Sequence, residues 1–148
     1  MKLNSSIVKA EAINLGFSVC GMSEARPVST EMRQKLQKWL ERGEQAEMDY
    51  MRNHFEMRCD PRLLVEGVKT IVSVALNYYP PRTLQPTQYQ FAAYAYGRDY
   101  HDIVKKKLFA LFAKLKVDIP ELDGRAFCDS APVLERYWAL ESGLGWIG

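Results

Sequence analysis

Hydrophobic positions in this chain switch between a helical period and a strand period, and each switch is marked by a capping residue or a glycine. Asn4 or Ser5 can cap a first helix carrying Ile7, Val8, Ala10, Ala12, Ile13 and Leu15, closed by Gly16. The alternation of Phe17 to Met22 predicts a strand. Thr30 can cap a second helix, Glu31 to Arg42, with Met32, Leu36, Trp39 and Leu40 on one face and Gly43 as its stop. Glu44 to Phe55 is polar apart from Met48, Tyr50, Met51 and Phe55, and reads as a loop running into one or two helical turns. Such a Met and aromatic set is most simply a packed edge. Asp60 caps and Pro61 opens a short helix, Arg62 to Glu66, stopped by Gly67.

Lys69 to Tyr78 is β-branched and mostly apolar, which predicts a central strand ended by Pro80 and Pro81. Leu84 to Gln88 reads as a surface loop. Phe91 to Gly97 alternates, with Phe91, Ala93, Ala95 and Gly97 on one face and Ala92, Tyr94 and Tyr96 on the other, and predicts a third strand. Its small face would accept either a packed helix or a flat ligand. Tyr100 or Asp102 begins the longest helix, to about Lys116, with Val104, Leu108, Leu111, Phe112 and Leu115 as its buried face. Ala126-Phe127-Cys128 then reads as a strand end, with Asp129 at its carboxyl end. Ser130 and Pro132 open a last helix through Val133, Leu134, Tyr137, Trp138 and Leu140, ended by Gly143.

Helices and strands alternate irregularly and the strands are few, so the expected class is α+β: helices packed around a small mixed sheet. The 148 residues are expected to form a single domain, 1–148. Composition changes this picture little, since 47% hydrophobic and 26% charged residues are ordinary for a globular chain. The net charge of +2 is smaller than a dedicated nucleic-acid binder would carry. Lys105, Lys106 and Lys107 spread around their helix and read as a solvated face. Cys20, Cys59 and Cys128 lie far apart without a Cys-x-x-Cys pair, so local spacing builds neither a zinc nor an iron–sulfur site, and no metal ligands are assigned. Each is expected to be a small buried hydrophobe. His101 lacks a second ligand at helical spacing. With no basic segment leading an apolar one and no long apolar run, the chain is expected to be cytoplasmic, without a membrane partner.

Asp129 admits two readings. It could cap the following helix, a role that favours its ionised form. It could instead donate a proton, which demands an apolar surround, with Phe127, Tyr137 and Trp138 nearby in sequence. Position alone leaves both open.

Cys128-Asp129-Ser130-Ala131-Pro132-Val133-Leu134-Glu135-Arg136, with Gly-Leu-Gly-Trp-Ile-Gly over 143–148 and Tyr96-Gly97-Arg98-Asp99-Tyr100-His101-Asp102 upstream, resembles the epoxyqueuosine reductase family. The blocks stand in the family's order, and the resemblance covers nearly the whole chain. What matches is the family's N-terminal, cobalamin-binding region, which has a nitroreductase-like fold. The family continues past Gly148 into a ferredoxin-like module holding two [4Fe-4S] clusters, so those clusters are expected only in that C-terminal module, absent from this sequence.

The activity implied is reduction of epoxyqueuosine to queuosine in the tRNA anticodon loop. Side chains cannot supply low-potential electrons, so a cofactor must. The resemblance makes cobalamin that cofactor and Asp129 both a contact and the proton donor to the departing oxygen. An ordinary aspartate is ionised at neutral pH, so this role requires desolvation beneath cofactor or substrate. Arg58 matches a cobalamin-contacting position, where its forked donors suit amide and phosphate oxygens; the competing reading is a surface ion pair with Glu56 or Asp60. Ala92 matches another contact, through its backbone. No role is assigned to Arg98 or His101, and Gly43 to Met48 is less glycine-rich than the family pattern. The resemblance thus implies an oxidoreductase whose electron donor is unspecified and which is inactive without the iron–sulfur module; the chain is expected to be a monomer, a state the sequence itself does not encode. The alternatives are a non-catalytic tRNA- or protein-binding domain, using Lys105 to Lys107 and exposed tyrosines, and another corrinoid or flavin-type reductase of the same fold.

Overall fold

The computed structural model describes residues 4–82, 84, 85 and 87–146. Pro86 of the expected surface loop, and Ile147 and Gly148 at the end of the last sequence block, lie outside the described residues. The elements are α1 (Ser5–Asn14), β1 (Val19–Glu24), α2 (Thr30–Glu41), α3 (Phe55–Cys59), β2 (Thr70–Ala75), α4 (Tyr100–Asp118) and α5 (Glu135–Glu141). Short 3-10 turns stand at Asp49–Met51, Pro61–Leu63 and Ala93–Ala95. β1 and β2 pair in a two-stranded sheet. Ser18 N donates to Ala75 O at 2.8 Å and Ala25 N to Lys69 O at 3.0 Å, so opposite ends meet and the pairing is antiparallel. The α+β class holds.

The residues form two compact units, Met1–Cys20 with Val74–Cys128, and Gly21–Ser73 with Asp129–Gly148. In the first, Asn4 caps α1 by accepting from Ser6 N at 2.9 Å, and Gly16, at φ +86°, ends it. Val8, Ala12, Phe17, Leu111, Leu115, Ile119 and Cys128 are its buried apolar residues. Glu11 and Lys114 join α1 to α4 at 2.7 Å. Lys107 Nζ donates to Leu15 O just past the end of α1 and lies 5.9 Å above the Phe17 ring. A cation is stabilised at a helix C-terminus, and here it also stands over an aromatic face. The lysine run is therefore not a uniformly solvated face, because Lys107 is committed to the fold.

The second unit is built on Val28, Leu36, Leu40, Cys59, Tyr137 and Trp138, flanked by Met32, Trp39, Met51, Phe55, Ile71, Val133 and Leu134. Met32, Leu36, Trp39 and Leu40 are the face the periodicity predicts for α2. Its cap lies one residue earlier than expected, at Ser29, whose Oγ accepts from Met32 N at 3.1 Å. Trp138 is 2% exposed, with Tyr137 set edge-on at 5.1 Å.

Several expectations fail: the helix expected over Arg62 to Glu66 is only the 3-10 turn Pro61–Leu63, and Cys20 is half-buried while Cys59 and Cys128 are buried. Phe91 to Gly97 is not a strand: it closes a 3-10 turn in which Ala92 O accepts from Ala95 N at 2.9 Å. Exposure along it follows a period of three, with Ala93 and Tyr96 half-buried, because alanines give a strand little to pack with. The Lys69–Tyr78 run yields only Thr70–Ala75 as strand, and among the described residues it pairs with β1 alone, as an edge and not a central strand. The final helix starts at Glu135 rather than at Ser130 or Pro132, and 126–128 is irregular.

Gly21 in β1 is buried where the backbone after α5 crosses it. A Cβ there would lie 2.2 Å from Ser142 O and 2.4 Å from Leu144 Cδ1. Ser142 Oγ also bonds Ser23 Oγ at 3.1 Å and Ser73 Oγ at 3.2 Å, which fixes that crossing. Gly21→Ala should destabilise the chain by about 1–3 kcal/mol, as overpacking does. Gly124→Ala, whose Cβ would meet only Phe112 at 3.4 Å, should be close to neutral in the same urea melts.

Candidate functional site

Asp129 lies at the head of the segment that ends in α5. Its backbone is left-handed, φ +54°, an uncommon conformation for a residue with a side chain but one that Asp tolerates. Its N–H donates to Glu135 Oε1 at 2.8 Å. Between them Val133 N donates to Ala131 O at 2.7 Å, so 129–134 forms a folded loop and not the first turn of a helix. The capping reading of Asp129 therefore falls: α5 begins six residues later, with Leu134 in the cap position and no side-chain cap. The Asp129 side chain is exposed. Tyr137 and Trp138, expected to shield it, are turned into the core instead, and the Tyr137 hydroxyl accepts from Ser29 N at 3.1 Å. Arg26 and Glu141 pair at 2.6 Å. Thus α5 is held at both ends, while Asp129 ahead of it is an exposed residue.

Arg58 sits on α3, a single turn started by His54 in the left-handed conformation. It is only 7% exposed. Nε donates to Asn53 O at 3.2 Å and Nη2 to Tyr50 O at 3.1 Å. Burial holds its pKa below the ordinary arginine value. The surface ion pair weighed from sequence is not formed. Glu56 pairs with Arg33, at 2.9 Å between Oε2 and Nη1, and Asp60 pairs with Arg62 at 2.8 Å. The hydrogen bonds from those arginines hold both carboxyls below their usual range. Among the described residues Arg58 Nη1 donates no hydrogen bond, and that group is what it can offer a ligand. Cys59 beside it is a free, buried thiol, and burial raises its pKa.

Ala92 belongs to the other unit. It is exposed, with φ −58° and ψ 138°, at the start of the 93–95 turn. Exposed Tyr89, Phe91 and Tyr94 surround it in sequence, and Leu84, Thr87, Gln88, Tyr89 and Phe91 line an open depression. Nearby, Asp99 Oδ1 accepts from His101 N and contacts His101 Nδ1, both at 2.8 Å, and the His101 ring stacks on Tyr100 at 4.0 Å. The backbone N–H of His101, then its ring, hold the Asp99 carboxyl below its usual range. Neither this pairing nor the Glu135 contact was read from sequence. An Asp-x-His spacing at a helix start could have signalled the first. Arg58 and Asp129 fall in one unit and Ala92 in the other.

Among the described residues no group of three His, Cys, Asp or Glu side chains could hold a metal ion, and the three cysteines are free. No helix of the described residues is long and apolar enough to cross a membrane. Each unit offers donors suited to an organic ligand and not to a metal: a fixed guanidinium and an exposed carboxyl in one, and exposed aromatic rings beside a bare alanine backbone in the other.

The fold these residues build is the α+β fold of a known group of solved enzymes. The structure of epoxyqueuosine reductase from Streptococcus thermophilus superposes with a TM-score of 0.85 at 24% identity, over 97% of this chain and 39% of that one. An epoxyqueuosine reductase solved with a tRNA-Tyr epoxyqueuosine-modified stem loop gives 0.80 at 23% identity, over 95% and 38%. Sequence makes the relation specific. Residues 58–130 match the family model described as epoxyqueuosine reductase QueG, DUF1730. The epoxyqueuosine reductase of Cellulophaga algicola is 50% identical over 145 residues, 98% of this chain and 47% of that protein. The chain is a homologue of the epoxyqueuosine reductases, and it spans about half the length of the curated relatives it matches.

Arg58→Met should destabilise the chain by about 1–3 kcal/mol, because two carbonyls lose their donors, and Arg58→Lys should recover part of that in thermal melts. The depressed carboxyls Glu56 and Asp60 contribute stability that is present above their unfolded pKa values and lost as pH falls through the folded ones. Melting temperature should therefore hold between pH 7 and about 5 and drop below about pH 4. Glu56→Gln should make that drop shallower.

Proposed function

We propose that this chain is the N-terminal, cobalamin-binding part of an epoxyqueuosine reductase, a cytoplasmic monomer in which Asp129 delivers a proton to the epoxide oxygen. The observation that carries the reading is the 50% identity to an epoxyqueuosine reductase along 98% of the chain, which includes the segment presenting Asp129. The tRNA anticodon loop as substrate is supported by the structural neighbour solved with an epoxyqueuosine-modified stem loop.

Reduction of an epoxide to an alkene consumes two electrons and two protons and releases the oxygen as water. Bound cobalamin would supply the low-potential electron chemistry, recharged by [4Fe-4S] clusters in the remaining half of the protein. The residues here bind, orient and protonate. Arg58 would offer Nη1 to an amide or phosphate oxygen of the cofactor, and Ala92 would let the ligand approach the backbone. Asp129 faces solvent in this chain, so the desolvation a neutral-pH proton donor needs would come from cofactor and substrate closing over it. The reading of a tRNA-binding domain without chemistry is weakened, because Lys107 is spent on the α1 terminus.

Two measurements test this. Titration of the full-length protein with cob(II)alamin at low and high salt should show saturable, salt-insensitive binding with a changed electron spin spectrum. Steep weakening with salt would point to phosphate-driven nucleic-acid binding instead. Asp129→Asn should bind cobalamin as the parent does while turnover of epoxyqueuosine tRNA falls by roughly a hundredfold or more, the scale of a lost general acid. Normal turnover would sink the assignment.

A further inference from the structure

Asp129 occupies the left-handed region, which Asp visits more readily than most residues but which is still uncommon, so a bond that fixes its backbone there also fixes its side-chain direction. The holding group is Glu135, whose Oε1 accepts from Asp129 N at 2.8 Å. A hydrogen bond to a carboxylate is among the stronger kinds. Glu135 is also the first residue of α5, and α5 is anchored by the buried Tyr137 and Trp138 two and three residues further on. Rigidity thus has a route from the core, through Trp138 and the start of α5, to the backbone of Asp129.

We propose that Glu135 is a positioning residue that latches the 129–134 loop and so fixes the direction in which the Asp129 carboxyl is presented. The inference rests on the reading of Asp129 as proton donor. It differs from a simple charge role for Glu135 at a helix N-terminus, which needs an anion. A latch needs only an acceptor oxygen of the right reach. Glu135→Gln keeps that oxygen and loses the charge, whereas Glu135→Ala loses both.

The experiment uses the full-length enzyme and two readouts. Residue-resolved hydrogen exchange should show the Asp129 amide protected in the parent and in Glu135→Gln, and exchanging roughly tenfold or more faster in Glu135→Ala, the scale of a lost bond to a charged acceptor. Turnover should follow: kcat falls by about the same factor in Glu135→Ala, with KM for tRNA little changed, and Glu135→Gln restores most of it. Circular dichroism melts confirm that each variant is folded. Equal exchange in all three proteins overturns the latch. Unchanged kcat in Glu135→Ala, or a loss in Glu135→Gln as large as in Glu135→Ala, overturns the positioning role. Normal turnover of Asp129→Asn instead overturns the donor reading, and the role given to Glu135 with it, while leaving the amide measurement as it stands.

Discussion

Burial of Trp138 is the constraint on which the second unit depends. The indole is 2% exposed among residues from α2, α3 and β2, and nothing else in that core is both as large and as enclosed. Because it sits mid-way along a helix of only seven residues, its burial fixes α5 as a body, and everything attached to α5 inherits that position. Tyr137 reaches the cap of α2 from the same helix, Glu141 takes Arg26, and Ser142 closes over Gly21. A short helix has almost no stability of its own; tertiary packing supplies it. The loop bearing Asp129 is therefore as well placed as the indole is well packed.

The polar groups of this unit divide by exposure. Arg33 with Glu56 and Arg62 with Asp60 form pairs near the surface, where ion pairs contribute little. The nearby Arg58 is buried, with Nε and Nη2 met by backbone carbonyls, an arrangement that costs desolvation and is kept because those carbonyls face it. One short stretch thus holds arginines in opposite electrostatic situations.

Local signals were legible in the sequence and long-range ones were not. Asn4, Gly16, Gly43 and Gly143 mark helix boundaries because capping and left-handed termini depend on the residue itself and its near neighbours. The apolar stripe of α2 was readable because helical period and burial coincide there. Phe91 to Gly97 misled, since alternation predicts a strand only where a partner strand exists, and none pairs with it among the described residues. The start of α5 was misplaced because Ser130 and Pro132 are good helix openers in isolation, while the Asp129 N–H finds its acceptor on Glu135. Lys107 read as solvated because its acceptor, Leu15 O, lies 92 positions away. Of the site, Asp129, Arg58 and Ala92 stand out only through resemblance, and the burial of Arg58 among carbonyls is set by chain geometry that its sequence neighbours do not encode.

That arginine carries a further consequence. A long cationic side chain on a surface has many rotamers, and a ligand that captures it must freeze them, at about 0.5–1.5 kcal/mol per side chain. Arg58 was frozen when the chain folded, by Tyr50 and Asn53. Any molecule that meets its Nη1 encounters a donor already aimed, so the ordering entropy is charged to folding and the selectivity of the contact becomes a matter of where an acceptor oxygen stands.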